Sequence, residues 1–207
     1  MPKGMVKPVA FRYVAGEHYK DAIRVVKQLN AQNISATVDV LGESADSKSY
    51  VEEYVSEYKT LIDALKSEQA DSGISIKPTA FGLGFDEAFA CAEMEGLIQY
   101  AQDQDIFVRI DMEDSPYTQK TIDFYNECKT KHKKLGVVLQ AYLKRTIDDI
   151  QSFNGTGADL RICKGIYIEP EAIAYKDYQK VRDNYLDCLE QIIKNDFRVG
   201  IATHDQY

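Results

Sequence analysis

The chain has 207 residues, 44% of them hydrophobic and 28% charged, with a net charge of −8 and a pI near 5.0. That mixture supports one substantial core, while no stretch approaches the roughly 18 apolar residues that cross a bilayer. The first residues, Met1-Pro2-Lys3-Gly4-Met5, lack a secretory apolar run, so a cytoplasmic location is the default expectation, and the acidic balance disfavours a nucleic-acid partner.

Taken in chain order, the hydrophobic rhythm alternates between period 3.6 and short β-branched runs. Ala22, Val25, Val26 and Leu29 mark a first helix, and residues 34–41 a first strand. Val51, Tyr54, Val55, Tyr58, Leu61, Ile62 and Leu65 trace one face of an amphipathic helix. A strand over 74–77 follows, then a helix carrying Ala90, Met94, Leu97, Ile98 and Ala101. Strands over 106–111, 135–142 and 160–163 come next. The helix of Tyr178, Val181, Tyr185, Cys188, Leu189 and Ile192 then leads to a last strand over 197–203. Several strands are apolar on successive residues, as in a parallel sheet covered on both faces.

Strand–helix alternation of this length predicts right-handed βαβ units in one domain spanning 1–207, with no linker and no low-complexity tract. Two architectures fit, a doubly wound sheet and a (β/α)8 barrel. The first strand ends with a single glycine, Gly42, and Gly82-Leu83-Gly84 lacks the third glycine of a dinucleotide fingerprint. Against that, Asp39, Lys77, Asp111, Gln140, Lys164 and His204 each fall at the C-terminal end of a predicted strand. In a barrel those ends converge on one face, where the chemistry occurs. The expected fold is therefore α/β, a (β/α)8 TIM-type barrel with about six βα units, too few strands to close a normal cylinder.

Lys77, Arg161 and Lys164 at the mouth of an acidic protein suit an anionic ligand, unless they pair with Asp39 and Asp111 across the barrel. No serine sits in a nucleophile elbow. Cys91, Cys128, Cys163 and Cys188 are too scattered for a zinc site and read as reduced core thiols. His18 and His132 read as surface residues, and the lysines around His132 as a solvated helix end; His204 is the one histidine expected in a site. Glu113 and Asp114 read as acids at a helix start rather than metal ligands with Asp111, and no metal is expected.

Seven phrases now resemble the monofunctional bacterial proline dehydrogenases, in that family's order. They are Val14-Ala15-Gly16-Glu17, Val38-Asp39-Val40-Leu41-Gly42-Glu43, and Ile74-Ser75-Ile76-Lys77 with Val108-Arg109-Ile110-Asp111-Met112-Glu113. The others are Val138-Leu139-Gln140-Ala141-Tyr142-Leu143-Lys144-Arg145, Arg161-Ile162-Cys163-Lys164-Gly165-Ile166-Tyr167 and Ala202-Thr203-His204-Asp205. The resemblance implies oxidation of L-proline to Δ1-pyrroline-5-carboxylate on FAD. Electrons would pass to a quinone at the inner face of the membrane, and a pyrroline-5-carboxylate dehydrogenase would be the pathway partner. It implies catalytic roles for Asp111 and Arg161 and substrate contacts for Lys77 and Tyr167. Cofactor contacts would come from Met112, Gln140, Lys164, Gly165, Ile166, Thr203 and His204.

Three departures stand out. Pro78 replaces a usual leucine and is expected to alter the end of the second strand, and Ile166 replaces a usual alanine and is expected to crowd the flavin. Family members continue through two more strands and a final carboxylate-binding helix, whereas this sequence ends at Tyr207; a fragment, inactive or poorly folded alone, is the expectation. The competing readings are another flavin barrel such as a methylenetetrahydrofolate reductase relative, a non-catalytic barrel, and, with little support, a metal-dependent aldolase or hydrolase.

Overall fold

The structure, a computed structural model, describes residues 14–42, 44–153 and 155–205; the N-terminal stretch read for a signal, Glu43 of the second phrase and Tyr207 lie outside them. Helix α1 (Tyr19–Asn30) buries Ala22, Ile23 and Val26 and leads into strand β1 (Ala36–Asp39). Helix α2 (Lys48–Ser67) buries the seven apolar residues that the sequence pattern marks out. Fully burying a side chain of this size is worth about 1.5–3 kcal/mol. Tyr54 adds edge-to-face contacts with Tyr58 and Phe81, at ring distances of 5.1 and 5.4 Å.

Strand β2 (Ser72–Ile76) ends where Pro78 opens a 3-10 turn (Pro78–Phe81), the effect expected of a proline that fixes φ and lacks an N–H. Helix α3 (Glu87–Asp103) is capped by Asp86, whose Oδ1 accepts the Phe89 N–H at 3.1 Å. Strand β3 (Val108–Ile110), helix α4 (Ser115–Lys129), strand β4 (Leu135–Gln140) and helix α5 (Thr146–Ser152) follow. Strand β5 (Asp159–Cys163), helix α6 (Tyr178–Lys194) and strand β6 (Arg198–Ile201) complete the described chain.

The six strands form one parallel sheet in the order β1-β2-β3-β4-β5-β6. An order that never reverses has no topological switch point, which excludes the doubly wound alternative. All six residues of β4 are buried, because it sits inside the sheet with helices outside and other side chains within. Side chains of β3 and β5 meet although β4 separates them: Arg109 Nη2 lies 2.7 Å from Asp159 Oδ1. Such contact requires a strongly concave inner face. The fold is thus an incomplete (β/α)8 barrel, in which β1 and β6 are edge strands among the described residues.

Sequence and structure part company at specific points. Strand β6 stops at Ile201, short of the predicted Thr203, and β1 and β4 are likewise shorter than read. Helices α4 and α5 lack a clean apolar stripe because each buries threonines, Thr118 and Thr121 in one and Thr146 in the other. The reading of His132 as a surface residue is corrected. It is 3% exposed, packed where α4 ends, with Nδ1 at 3.0 Å from Gln102 Nε2. The lysines around it are held in place: Lys129 Nζ donates to the carbonyls of Lys133 and Leu135, and Lys131 reaches Glu95. Cys128 and Cys188 are buried and unpaired, with thiols pushed up by burial to about 12, so they stay protonated and inert.

Candidate functional site

At the C-terminal mouth, the inward-facing residues of four strands form a ladder of alternating charge. Asp39 ends β1, Lys77 and Asp111 follow β2 and β3, and Arg161 stands within β5. Lys77 Nζ pairs closely with Asp39 Oδ2 and lies 3.6 Å from Asp111 Oδ2, while Arg161 Nη2 donates to Asp111 Oδ1 at 2.6 Å. Strand register produces this directly. Ser75 pairs with Asp39 and with Arg109, so the next inward positions, Lys77 and Asp111, come level. Burial raises the Asp111 carboxyl above the ordinary range, and the two cations pull against that rise.

Supporting contacts fix the ladder from outside. The Tyr58 hydroxyl of α2 donates to the Ser75 carbonyl at 2.6 Å and lies 3.2 Å from Asp39 Oδ1. Glu113 is not the helix-start acid that its position suggested. It is 6% exposed, and its carboxylate accepts the Thr79 N–H and hydroxyl, both at 2.7 Å, tying the loop after β3 to the turn after β2. Gln140, buried at the end of β4, donates from Nε2 to the Glu113 carbonyl at 2.8 Å, which orients its amide. Met112, between Asp111 and Glu113, is buried in the core.

The other rim is built by β5, β6 and the loop after β5. Lys164 pairs closely with Asp205, whose Oδ1 also accepts the Tyr178 hydroxyl at 2.7 Å; Arg182 Nε lies 3.4 Å from Oδ2. Gly165 adopts φ +107°, and a Cβ there would come within 2.2 Å of the Tyr142 ring, so only glycine lets the chain lie this close. Ile166 is 85% exposed and does not point into the barrel. Tyr167 is half-buried; burial, then the carboxylates of Glu113, Asp114 and Asp111, push its phenol up to about 12. Thr203 and His204 are exposed, past the end of β6.

The geometry therefore joins Lys77, Asp111 and Arg161 in one network and sets Lys164 in a second, with Thr203 and His204 on open surface. Sequence reasoning did not mark Thr79, Glu113, Asp205, Ser115 or Glu169. Their roles depend on partners 34 to 54 positions away, apart from Tyr178 and Arg182, which are 27 and 23 from Asp205, and no local spacing reports that. Among the described residues, no cluster of His, Cys, Asp or Glu is arranged to hold a metal ion, and no helix is long and apolar enough to cross a membrane.

Comparison with known proteins bears on these observations. A family model described as proline dehydrogenase matches residues 22–207. Proline dehydrogenase 1 of Bacillus subtilis subsp. natto is 35% identical over 196 residues, which is 95% of this chain and 65% of that protein. The proline dehydrogenase of Deinococcus radiodurans is 32% identical over 205 residues, 96% of this chain and 66% of its own length. The chain thus spans a little under two thirds of these curated relatives. Among solved structures, proline utilization A from Bdellovibrio bacteriovorus superposes with a TM-score of 0.88 at 21% identity, covering 98% of this chain and 26% of that one; the likeness establishes a shared fold.

Proposed function

The chain belongs to the proline dehydrogenase family, and from that premise we propose that residues 1–207 form one barrel domain that oxidises L-proline to Δ1-pyrroline-5-carboxylate by hydride transfer to FAD. The observation that carries the reading is the charge ladder of Asp39, Lys77, Asp111 and Arg161 at the mouth of a barrel of this family. Proline carries a carboxylate and an amine on the same carbon, and a row of alternating cations and anions matches that pattern. Lys77 meets the substrate carboxylate as a fixed cation, and Asp111, one ladder step away, faces the amine.

The donors on the mouth suit a flavin. Gln140 offers an oriented amide, Arg161 and Lys164 offer cations for the ring edge and the phosphates, and Thr203 and His204 stand exposed further along the rim. Met112, Gly165 and the backbone of Ile166, whose side chain faces out, complete the cofactor set, and Tyr167 borders the substrate. When bound, FAD supplies the redox chemistry by accepting a hydride from the carbon next to the proline nitrogen. The protein's part is positional. Asp111 holds Arg161 by a 2.6 Å bond, so the guanidinium is a fixed cation that would offset the negative charge a flavin would gain on reduction. The amine loses one proton, which asks for no histidine–carboxylate relay.

In this reading the protein works in the cytoplasm, peripheral to the inner face of the membrane. Electrons pass on to a quinone, and the product goes to a pyrroline-5-carboxylate dehydrogenase. The test is flavin absorbance and its bleaching by L-proline, in the 207-residue chain and in a version extended with a family-type C-terminal segment. Bleaching in the extended protein supports the reading. An extended protein that folds yet neither holds flavin nor responds to proline overturns it. A non-catalytic barrel, favoured by the internal pairing of Lys164 with Asp205, would then be the better account.

A further inference from the structure

The loop from β5 to α6, residues 164–177, carries Lys164, Gly165, Ile166 and Tyr167 and is fastened at both ends. Gly165 lies against the Tyr142 ring at the near end. At the far end the Lys144 N–H donates to the Ile173 carbonyl at 2.9 Å, the Tyr175 N–H donates to the Tyr142 carbonyl at 2.8 Å, and Leu143 bridges Ala174. Between these fastenings the segment alternates. Ile166 is 85% exposed, Tyr167 half-buried, Ile168 99% exposed and Glu169 5% exposed. A period of two is that of extended chain, so Tyr167 and Glu169 share the inward side and the isoleucines face out.

Glu169 supplies the anchor for that side. Its Oε1 accepts the Ser115 N–H at 2.6 Å and its Oε2 accepts the Ser115 hydroxyl at 2.6 Å. Its own carbonyl is taken by the Lys176 ammonium. Ser115 opens α4, the helix that follows Asp111, so the carboxylate ties the β5 loop across β4 to the element after β3. A carboxylate this buried is costly unless it is well bonded, and the two donors of one serine meet it in a geometry that a slipped loop would lose. Because side chains alternate, a slip by one residue would turn Ile168 inward and Tyr167 out.

We infer that Glu169 is a positioning residue for the proposed oxidation, its strap to Ser115 holding Tyr167 inward beside the carboxylates of the β3 loop. The consequence for turnover rests on the proposed function; the strap itself does not.

Amide hydrogen exchange of the 164–177 peptide, in the full chain without added flavin, tests the strap directly. In Glu169→Ala the loop is expected to exchange at least about tenfold faster, while the β3 and β4 peptides keep their rates, as local opening allows. Glu169→Gln keeps an acceptor for the Ser115 N–H and an amide for its hydroxyl, so it is expected to retain most of the protection. If Glu169→Ala does not fold, Ser115→Ala, which deletes only the hydroxyl bond, is expected to loosen the loop by a smaller factor. In the flavin-loaded protein, Glu169→Ala is expected to raise the KM for proline about ten- to a hundredfold with kcat changed far less, the cost of a displaced contact residue.

Unchanged loop exchange, or equal acceleration throughout the barrel, overturns the inference. Proline bleaching in the C-terminally extended wild type with an unaltered KM in its Glu169→Ala variant overturns it alone, leaving the function standing. Faster loop exchange in Glu169→Ala with no proline bleaching even in the C-terminally extended wild type overturns the function, and the assignment with it.

Discussion

Arg161 Nη2 donates to Asp111 Oδ1 at 2.6 Å, although the two residues stand fifty positions apart, one within β5 and the other directly after β3, strands that do not pair with each other. Lys77 approaches the second oxygen of the same carboxylate at 3.6 Å, so each oxygen of Asp111 faces a different cation. Only the curvature of the sheet brings these groups together. One carboxylate thereby fixes two cations that would otherwise repel each other.

Asp111→Ala is expected to cost stability as well as any activity, because it leaves Arg161 and Lys77 facing each other. The Arg161 and Asp111 side chains are 29% and 19% exposed, so the loss should fall below that of a fully buried pair, at about 1–3 kcal/mol. Asp111→Asn keeps the shape and one acceptor and should lose less. Urea unfolding of the two variants beside the wild type checks the order; equal losses would mean that the charge accounts for the whole effect and the retained shape and acceptor for none of it.

Gly165→Ala should be destabilising out of proportion to one methyl group. The residue needs φ +107°, and the added Cβ would sit 2.2 Å from the Tyr142 ring. Strain at such a φ costs of order 1–3 kcal/mol, and relief requires the loop to move. Urea midpoints would show the loss, and Tyr142→Ala combined with Gly165→Ala should recover only the steric part.

Gly136→Ala tests the floor of the barrel in the same manner. A Cβ at this β4 position would lie 2.2 Å from Arg109 Nη1 and 2.8 Å from the Asp159 carbonyl oxygen. The guanidinium could shift only by weakening its 2.7 Å pair with Asp159, which burial makes costly. A loss of about 1–3 kcal/mol, as for other overpacked sites, is expected in chemical denaturation. A variant as stable as the wild type would show that Arg109 has room to move.

Three members of the ladder were legible in the sequence because strands of a parallel barrel deliver their last residues to one face, so locating strand ends located Asp39, Lys77 and Asp111, and Gln140 beside them, while Arg161 stands within β5. Helix α2 was legible residue by residue, since one apolar face repeats over its whole length. What stayed hidden was the function of groups whose partners lie elsewhere. Glu113 looks like any acid before a helix until Thr79 is folded against it, and Glu169 lies between the last two family phrases, with its partner Ser115 fifty-four positions away. His132 sits among lysines that suggest solvent, yet it is buried, with Gln102 and Glu95 of α3 against its ring. Strand β6 ends at Ile201 rather than Thr203, so His204 lies three residues past it instead of directly at the strand end.

His132 yields a prediction about one proton. Gln102 Oε1 accepts the N–H groups of Lys133 and Lys134 at 2.8 and 3.2 Å, which forces its Nε2 to donate to His132 Nδ1. The neutral ring must therefore carry its proton on Nε2, which lies 3.8 Å from Glu95 Oε1. Long-range nitrogen–proton NMR correlation should report the Nε2–H tautomer for His132. In Gln102→Ala the preference should weaken.

Glu113 makes the fold's stability depend on pH in a defined direction. Burial raises its carboxyl above the ordinary 4.5, and the two Thr79 bonds only partly offset the rise. The folded protein therefore holds this proton to higher pH than the unfolded chain does. The contribution is fully present below about pH 4.5 and is lost as pH climbs through the folded value, because the charged form then has to be buried. Asp111, raised from 3.8 mainly by burial, acts in the same sense over a window that opens at that lower value. Glu113→Gln removes one of these titrations while keeping an acceptor for the Thr79 N–H. Urea unfolding from pH 4 to 7.5 should show the wild type losing stability relative to Glu113→Gln as pH rises, by about 1.4 kcal/mol for each unit of displacement. Parallel curves for the two proteins would mean that the carboxylate is ionised throughout and that the Thr79 bonds outweigh its burial.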